Sequence, residues 1–132
     1  MSTFKTLTEA KEFFKDDKFA TDNGVKIDKL DDEICICSLE LTDHHRNAYG
    51  AVMGGAIFTL ADFSFAVFSN HLHRPTVGQQ VNIHYLSATK GNKLFAEASC
   101  RKNGKTTSVI EVNVKDNLEK NIALFIGTGF KL

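Results

Sequence analysis

Gly54-Gly55-Ala56-Ile57-Phe58-Thr59-Leu60-Ala61-Asp62-Phe63-Ser64-Phe65-Ala66-Val67-Phe68 carries a single charge, at Asp62, and is apolar on nearly every side when wound as a helix. Residues 53–70 form the one long helix expected in the chain, and such a helix must be buried on nearly every side. Only a sheet that curls around it can achieve this. The flanking sequence supplies the strands. After Pro75, strand-like runs cover 79–88, 93–102, 106–116 and 121–131, with alternation as in Val81-Asn82-Ile83-His84-Tyr85 and Ile110-Glu111-Val112-Asn113-Val114, the period of a half-buried strand. Lys90-Gly91-Asn92, Asn103-Gly104-Lys105 and Asp116-Asn117 read as turns, so the last four strands are expected to be antiparallel and consecutive. On the other side, 8–18 reads as a short amphipathic helix with Ala10, Phe13 and Phe14 on one face, capped by Thr6 or Thr8. Two strands, 25–30 and 33–41, follow the turn at Asp22-Asn23-Gly24. The expected architecture is α+β: a curled antiparallel sheet of five to six strands wrapped around one long central helix, with a short N-terminal helix. Such a sheet leaves edges, and pairing with a second copy covers them, so a homodimer is expected.

The 132 residues fit one domain, 1–132, large enough to fold without a disulfide or a metal. Sixteen basic and sixteen acidic residues balance, which argues against nucleic-acid binding through bulk charge. The balance is local in neither half. Residues 1–43 hold eleven acids and six bases, and 44–132 hold five acids and ten bases. Lys90, Lys93, Arg101, Lys102 and Lys105 face only Glu97 within 90–105. That stretch fits a small phosphorylated ligand or a solvated surface. Three cysteines, Cys35, Cys37 and Cys100, form no disulfide framework and point to a reduced, cytoplasmic protein. Cys35 and Cys37 fall on one side of a strand and read as small apolar groups. His71-Leu72-His73 is the best metal candidate but does not supply four ligands at a recognisable spacing. Residues 1–14 mix charges with apolar residues and contain no signal-peptide core. The longest apolar stretch, 54–69, is too short and too interrupted to span a bilayer.

Three features carry chemistry. Asp62 has Phe58, Thr59, Phe65 and Ala66 as its helical neighbours. A carboxylate there needs a partner, a raised pKa or a function; a structural aspartate and a catalytic one both remain open. Gly54 and Gly55 stand at the helix start, where the first amides lack helical acceptors and face the positive end of the dipole. They suit a carbonyl oxygen that gains negative charge, or serve only close packing. Asn47, in the loop before the helix, can donate to a carbonyl or hold a water.

Together these residues resemble a known family. The run from Asn47 through Gly50, Gly54 and Gly55 to Leu60-Ala61-Asp62 is similar to the motif of hotdog-fold acyl-CoA thioesterases of the PaaI-like family, and the resemblance extends from about residue 20 onward. It implies that Asp62 is the nucleophile or the general base for water. The Gly54 amide would polarise the thioester carbonyl, and Asn47 would help hold carbonyl or water. It also implies a site at a dimer interface, with Asp62 of one subunit facing Gly54 and Asn47 of the other, and in many members a homotetramer. No metal or organic cofactor is implied. Met53 and Gly55 would line the substrate site, and Lys90, Lys102 or Lys105 would reach the phosphates of acyl-CoA. Two departures stand out. Met53 occupies the place where the family commonly has histidine, and methionine cannot donate a proton. Gly78-Gln79-Gln80 lies where related enzymes often carry serine or threonine, for which Ser69 or Ser87 are the substitutes at hand. The expected function is hydrolysis of small or medium acyl- or aryl-CoA thioesters. A non-catalytic acyl-CoA binder is the alternative that Met53 favours. A hydratase or dehydratase would need His44, His45 or His84 beside Asp62.

Overall fold

The computed structural model describes residues 2–132. Thr6 caps the first helix, α1 (Leu7–Phe14), by accepting the Glu9 amide. The expected helix over 8–18 is in fact two. The chain turns at Lys15–Asp17, where the Asp17 amide bonds to the Phe14 carbonyl, and resumes as α2 (Lys18–Asp22). The break lets both pieces bury an apolar face: Ala10 and Phe14 from the first, Ala20 from the second. Two strands follow, β1 (Lys26–Leu30) and β2 (Ile34–Glu40), close to expectation. The long helix, α3 (Gly54–Leu72), starts at the glycine pair with Met53 as its cap. Four strands complete the chain: β3 (Thr76–Tyr85), β4 (Lys93–Asn103), β5 (Thr107–Asp116) and β6 (Asn121–Lys131).

The strands make one antiparallel sheet of order β1-β2-β4-β5-β6-β3. It wraps α3, which touches every strand from β2 to β6. This is the hotdog arrangement. Cys35 and Cys37 in β2 face α3, paired across the sheet with Ala98 and Ala96 of β4. Their sulfurs lie 3.8 Å apart, fully buried and reduced. The small residues let the helix sit close to the sheet, and Phe68 and Phe125 are fully buried in the same core.

One expectation of the topology is corrected. The last four strands are antiparallel but not consecutive in space. β3 does not pair with β4; it lies at the opposite edge, against β6, with Tyr85 opposite Ala123. The flank of β4 that β3 would use is occupied by β2, from Ile34 opposite Ser99 to Glu40 opposite Lys93. β3 also begins earlier than the alternation implied. Asn70 at the end of α3 accepts the Thr76 amide and donates to the Thr76 carbonyl, so the chain enters the sheet almost directly from the helix. Lys90-Gly91-Asn92 is a turn, but it docks on the β5–β6 turn instead of closing a hairpin. Asn117 joins the two by accepting the Asn92 and Lys93 amides and donating to the Asn92 side chain.

Asp116 is the centre of that junction. It is 2% exposed and accepts the Thr89 hydroxyl at 2.6 Å and the Leu118 and Lys120 amides at 2.9 Å each. Burial pushes its carboxyl pKa up, but the Thr89 hydroxyl and the two amides outweigh it and hold the group below its ordinary value. A depressed carboxyl contributes stability above its unfolded pKa of about 3.9, and that stability is lost as pH falls through the lower folded value. Asp116→Ala is expected to cost about 2–3 kcal/mol in urea denaturation at pH 7. Wild type should lose part of that margin below about pH 4, and Asp116→Asn should lack this acid-dependent part. A wild-type urea midpoint in Asp116→Ala would refute the assignment.

Among the described residues no helix is long and apolar enough to cross a membrane. No cluster of three or more histidine, cysteine, aspartate or glutamate side chains among them could hold a metal ion. His71 instead packs at the end of α3, its Nε2 3.0 Å from Asp32 and its ring stacked beside Phe4.

Candidate active site

The loop 46–52 sets the entry of α3. Asn47 folds it: the side-chain oxygen accepts the Tyr49 and Ala51 amides, and its backbone amide bonds to the Ala51 carbonyl. Gly50 supplies the left-handed turn, with φ at 81°, a conformation that a side chain would oppose. Arg46 donates to the Gly50 carbonyl, and the Met53 amide bonds to the His45 carbonyl. Asn47 therefore spends its oxygen on the loop. Its side-chain NH2 has no acceptor among the described residues and remains free to donate.

At the helix start, Met53 O accepts the amides of Ala56 and Ile57. The Gly54 and Gly55 amides have no acceptor among the described residues, as the first turn of a helix requires. A Cβ on Gly54 would meet Tyr85 at 3.2 Å, so this glycine does allow close packing, against an aromatic ring from β3. A Cβ on Gly55 would touch the Met53 methyl at 3.6 Å; the Met53 side chain, half exposed, folds over the first turn.

Asp62 is two turns further along. The expectation that apolar neighbours bury it is corrected: within one chain it is exposed. The reason is geometric. Residues 55, 58, 59, 62 and 66 form one stripe of α3 that the sheet leaves partly open, while Leu60, Ala61, Phe63, Ser64 and Phe65 face the core. Asp62 lines two clefts along that stripe. One, of 490 Å³, is walled by α2 with Asp17 and Phe19, and by Phe58 and Phe63. The other, of 370 Å³, is walled by Phe65, Thr76 and Gly78-Gln79-Gln80 of β3. Among the described residues the carboxyl has neither a hydrogen-bond partner nor an ion pair. Crowding by the cleft walls raises its pKa, and the negative charge of Asp17 raises it further.

Gly54 and Asp62 of one chain cannot act on the same carbonyl. Eight residues of α-helix separate them by about 12 Å along the axis, whereas reacting groups must converge within about 3 Å. The other expected contributors are scattered. Lys90 sits in the loop between β3 and β4. Lys102 and Lys105 lie at the far end of β4, about 30 Å away along that strand. The basic stretch is continuous in sequence but split by a strand in space. Ser69 is buried, and its hydroxyl bonds to the Ala66 carbonyl; Ser87 pairs its backbone with Ile122 beyond β3. His45 is held at both ring nitrogens, by the Thr42 amide and the Asn23 carbonyl. His84 pairs with Leu124, on the sheet face opposite to Ile83 and Tyr85.

Three neighbours of the site were not anticipated. Asp17 and Phe19 reach it because the N-terminal helix breaks, and no local signal foretells what the second piece will cover. Tyr85 lay in plain view in an alternating strand, but its contact with Gly54 depends on β3 occupying the outer edge.

A family model of the thioesterase superfamily matches residues 49–122. The chain is 27% identical over 129 residues to the acyl-coenzyme A thioesterase PaaI of Escherichia coli K12, covering 97% of this chain and 92% of that protein. The solved structure of the E. coli PaaI protein superposes with a TM-score of 0.87, over 93% of this chain and 90% of that one. A hypothetical thioesterase of Streptococcus pneumoniae TIGR4, solved with coenzyme A, is 27% identical and superposes with a TM-score of 0.81, over 89% of this chain and 94% of that one. With the helix-wrapping sheet and the motif residues at the start of α3, these matches mean that the chain belongs to the thioesterase superfamily, as a PaaI-like hotdog thioester hydrolase.

Proposed function

We propose that the protein hydrolyses acyl-CoA thioesters in a site completed by two copies of the chain. The observation that carries this reading is that α3 bears both halves of the chemistry, two unpaired amides at its start and an unpaired carboxyl on its open stripe, too far apart to meet within one chain. An isologous pair of such helices, antiparallel about a twofold axis, sets Gly54 of each copy against Asp62 of the other. The sheet edges favour the same partner. β1 is short, bulged between Ile27 and Lys29, and carries Lys26, Asp28 and Lys29, features that discourage pairing. β3 is ten residues long, uncharged, and open along its outer side.

In this arrangement the thioester oxygen lies against the Gly54 amide, with the Asn47 NH2 beside the carbonyl or the water. Asp62 removes a proton from water as the water oxygen attacks the carbonyl carbon, or attacks directly as nucleophile, in which case water then hydrolyses the acyl–Asp62 anhydride and frees the carboxylate. The tetrahedral oxyanion collapses, the carbon–sulfur bond breaks, and the CoA thiolate leaves and takes up a proton. A thiolate leaves without strong acid assistance, so a methionine at position 53 does not remove a needed proton donor. Lys90, Lys102 and Lys105 are the candidates for the CoA phosphates, from either copy. The coenzyme A bound to the pneumococcal relative supports the ligand class.

The test is thiol release from short, medium, long and aryl CoA thioesters, with oligomeric state measured by light scattering. Turnover by a dimer or a larger even assembly is the expected result. Binding of CoA esters without thiol release would favour the second reading, a non-catalytic acyl-CoA binder, which the loss of a proton-donating side chain at Met53 suggests. Asp62 must be ionised to act, so kcat/KM is expected to fall as pH drops through a value raised above that of an ordinary aspartate. Asp17→Asn removes the neighbouring negative charge and should move that acid limb to lower pH. An unchanged limb would show that Asp17 does not act on Asp62.

A further inference from the structure

The end of β3 meets the first turn of α3 through one side chain. Tyr85 lies on the same sheet face as Ile83, opposite Ala123 of β6. Its hydroxyl donates to the Gly54 carbonyl at 3.1 Å, and its ring end fills the space beside the Gly54 Cα, with Cζ at 3.2 Å and Oη at 3.3 Å from a Cβ placed there. Helix formation does not require this bond, because a carbonyl in the first turn already receives the amide four residues on. The bond falls on the peptide that joins Gly54 to Gly55. A donor on the oxygen of a peptide polarises its N–H and makes it a better donor in turn. That N–H belongs to Gly55, one of the two unpaired amides at the helix start.

We propose that Tyr85 is a positioning residue for oxyanion stabilisation. It fixes the plane of the Gly54–Gly55 peptide and strengthens the Gly55 amide as a second donor beside that of Gly54. Preorganised donors of this kind gain most of their effect when the oxygen becomes an anion. The role rests on the thioesterase reading above.

The experiment compares wild type, Tyr85→Phe and Tyr85→Ala in thiol release. It also compares their binding to two unreactive acyl-CoA analogues: a ketone in which CH2 replaces the sulfur, and a thioether that lacks the carbonyl. Tyr85→Phe keeps the ring and loses only the hydroxyl. It is expected to lower kcat about tenfold, the loss of one modest transition-state interaction, with KM within about twofold. It should weaken ketone binding several-fold and leave thioether binding unchanged. Tyr85→Ala should lose at least as much kcat, because the ring that packs beside Gly54 is lost together with the hydroxyl. A merely structural tyrosine would instead lower the melting temperature in both variants while kcat and the ketone-to-thioether ratio stayed at wild-type values, and that result overturns the proposal. Wild type that neither releases thiol nor binds either analogue would instead count against the thioesterase reading itself.

Discussion

Asp62→Asn is expected to abolish most thiol release, by about 10²–10⁴-fold in kcat, while the protein keeps its fold and its assembly. The variant keeps the size and shape of the side chain and removes only its ability to take a proton or to attack. In one chain Asp62 is exposed, with no partner among the described residues, so nothing in the protomer depends on its charge. The sign of the stability change follows from its raised pKa. A carboxyl whose folded pKa is raised is penalised when ionised, and the penalty fades as pH falls through the folded value. The variant should therefore be as stable as wild type or slightly more stable at pH 7, within about 0.5 kcal/mol. Circular dichroism melts alongside the kinetics separate the outcomes. A large drop in melting temperature would assign Asp62 a structural role. Undiminished turnover would remove it from the mechanism.

Gly127→Val is expected to be strongly destabilising. A Cβ on Gly127 would lie 2.8 Å from both Cδ1 and Cε1 of Phe65, and 3.1 Å from Cε1 of Phe125. Both rings are buried, Phe65 on α3 and Phe125 on β6 of the sheet it rests on. Neither is the loose end of a flexible chain, so the helix itself would have to lift. Overpacking of this kind costs about 1–3 kcal/mol and occasionally more, and valine, with two further methyl groups, belongs at the upper end. Urea denaturation measures the loss. The double variant Phe65→Ala/Gly127→Val checks the cause, because shrinking the ring should recover part of the stability lost through valine. Additive losses would locate the strain elsewhere. If Gly127→Val does not fold, Gly127→Ala should show the same coupling at smaller size.

Much of this fold is written locally. The apolar run from Ala56 to Phe68 requires a surrounding sheet, and alternation in the last four strands marks their existence and most of their limits. The motif residues Asn47, Gly54 and Asp62 are legible because their spacing along one loop and one helix is itself the signal. What escaped reading depends on partners distant in sequence. The place of β3 is decided by β2 taking the flank of β4, and neither strand's own residues state this. The basic stretch from Lys90 to Lys105 looks like one patch because a strand's length is invisible in a string of letters. Tyr85 followed the alternation correctly, yet its contact with Gly54 exists only once β3 is at the outer edge. The exposure of Asp62 is not legible from its helical neighbours, because the helix sequence does not state which of them the sheet covers.

The position of β3 also bears on how the chain can fold as it is synthesised. β3 is made immediately after α3, but its only strand partner among the described residues, β6, is made last of the strands. Until β6 has left the ribosome, β3 has no strand to pair with, and the part of α3 that β6 covers is bare. Sheet closure is therefore a late, long-range event, with the slow kinetics that distant pairings impose. A stalled or truncated nascent chain would present bare phenylalanines and an uncharged strand edge together, the combination that chaperones capture and that aggregates when they do not.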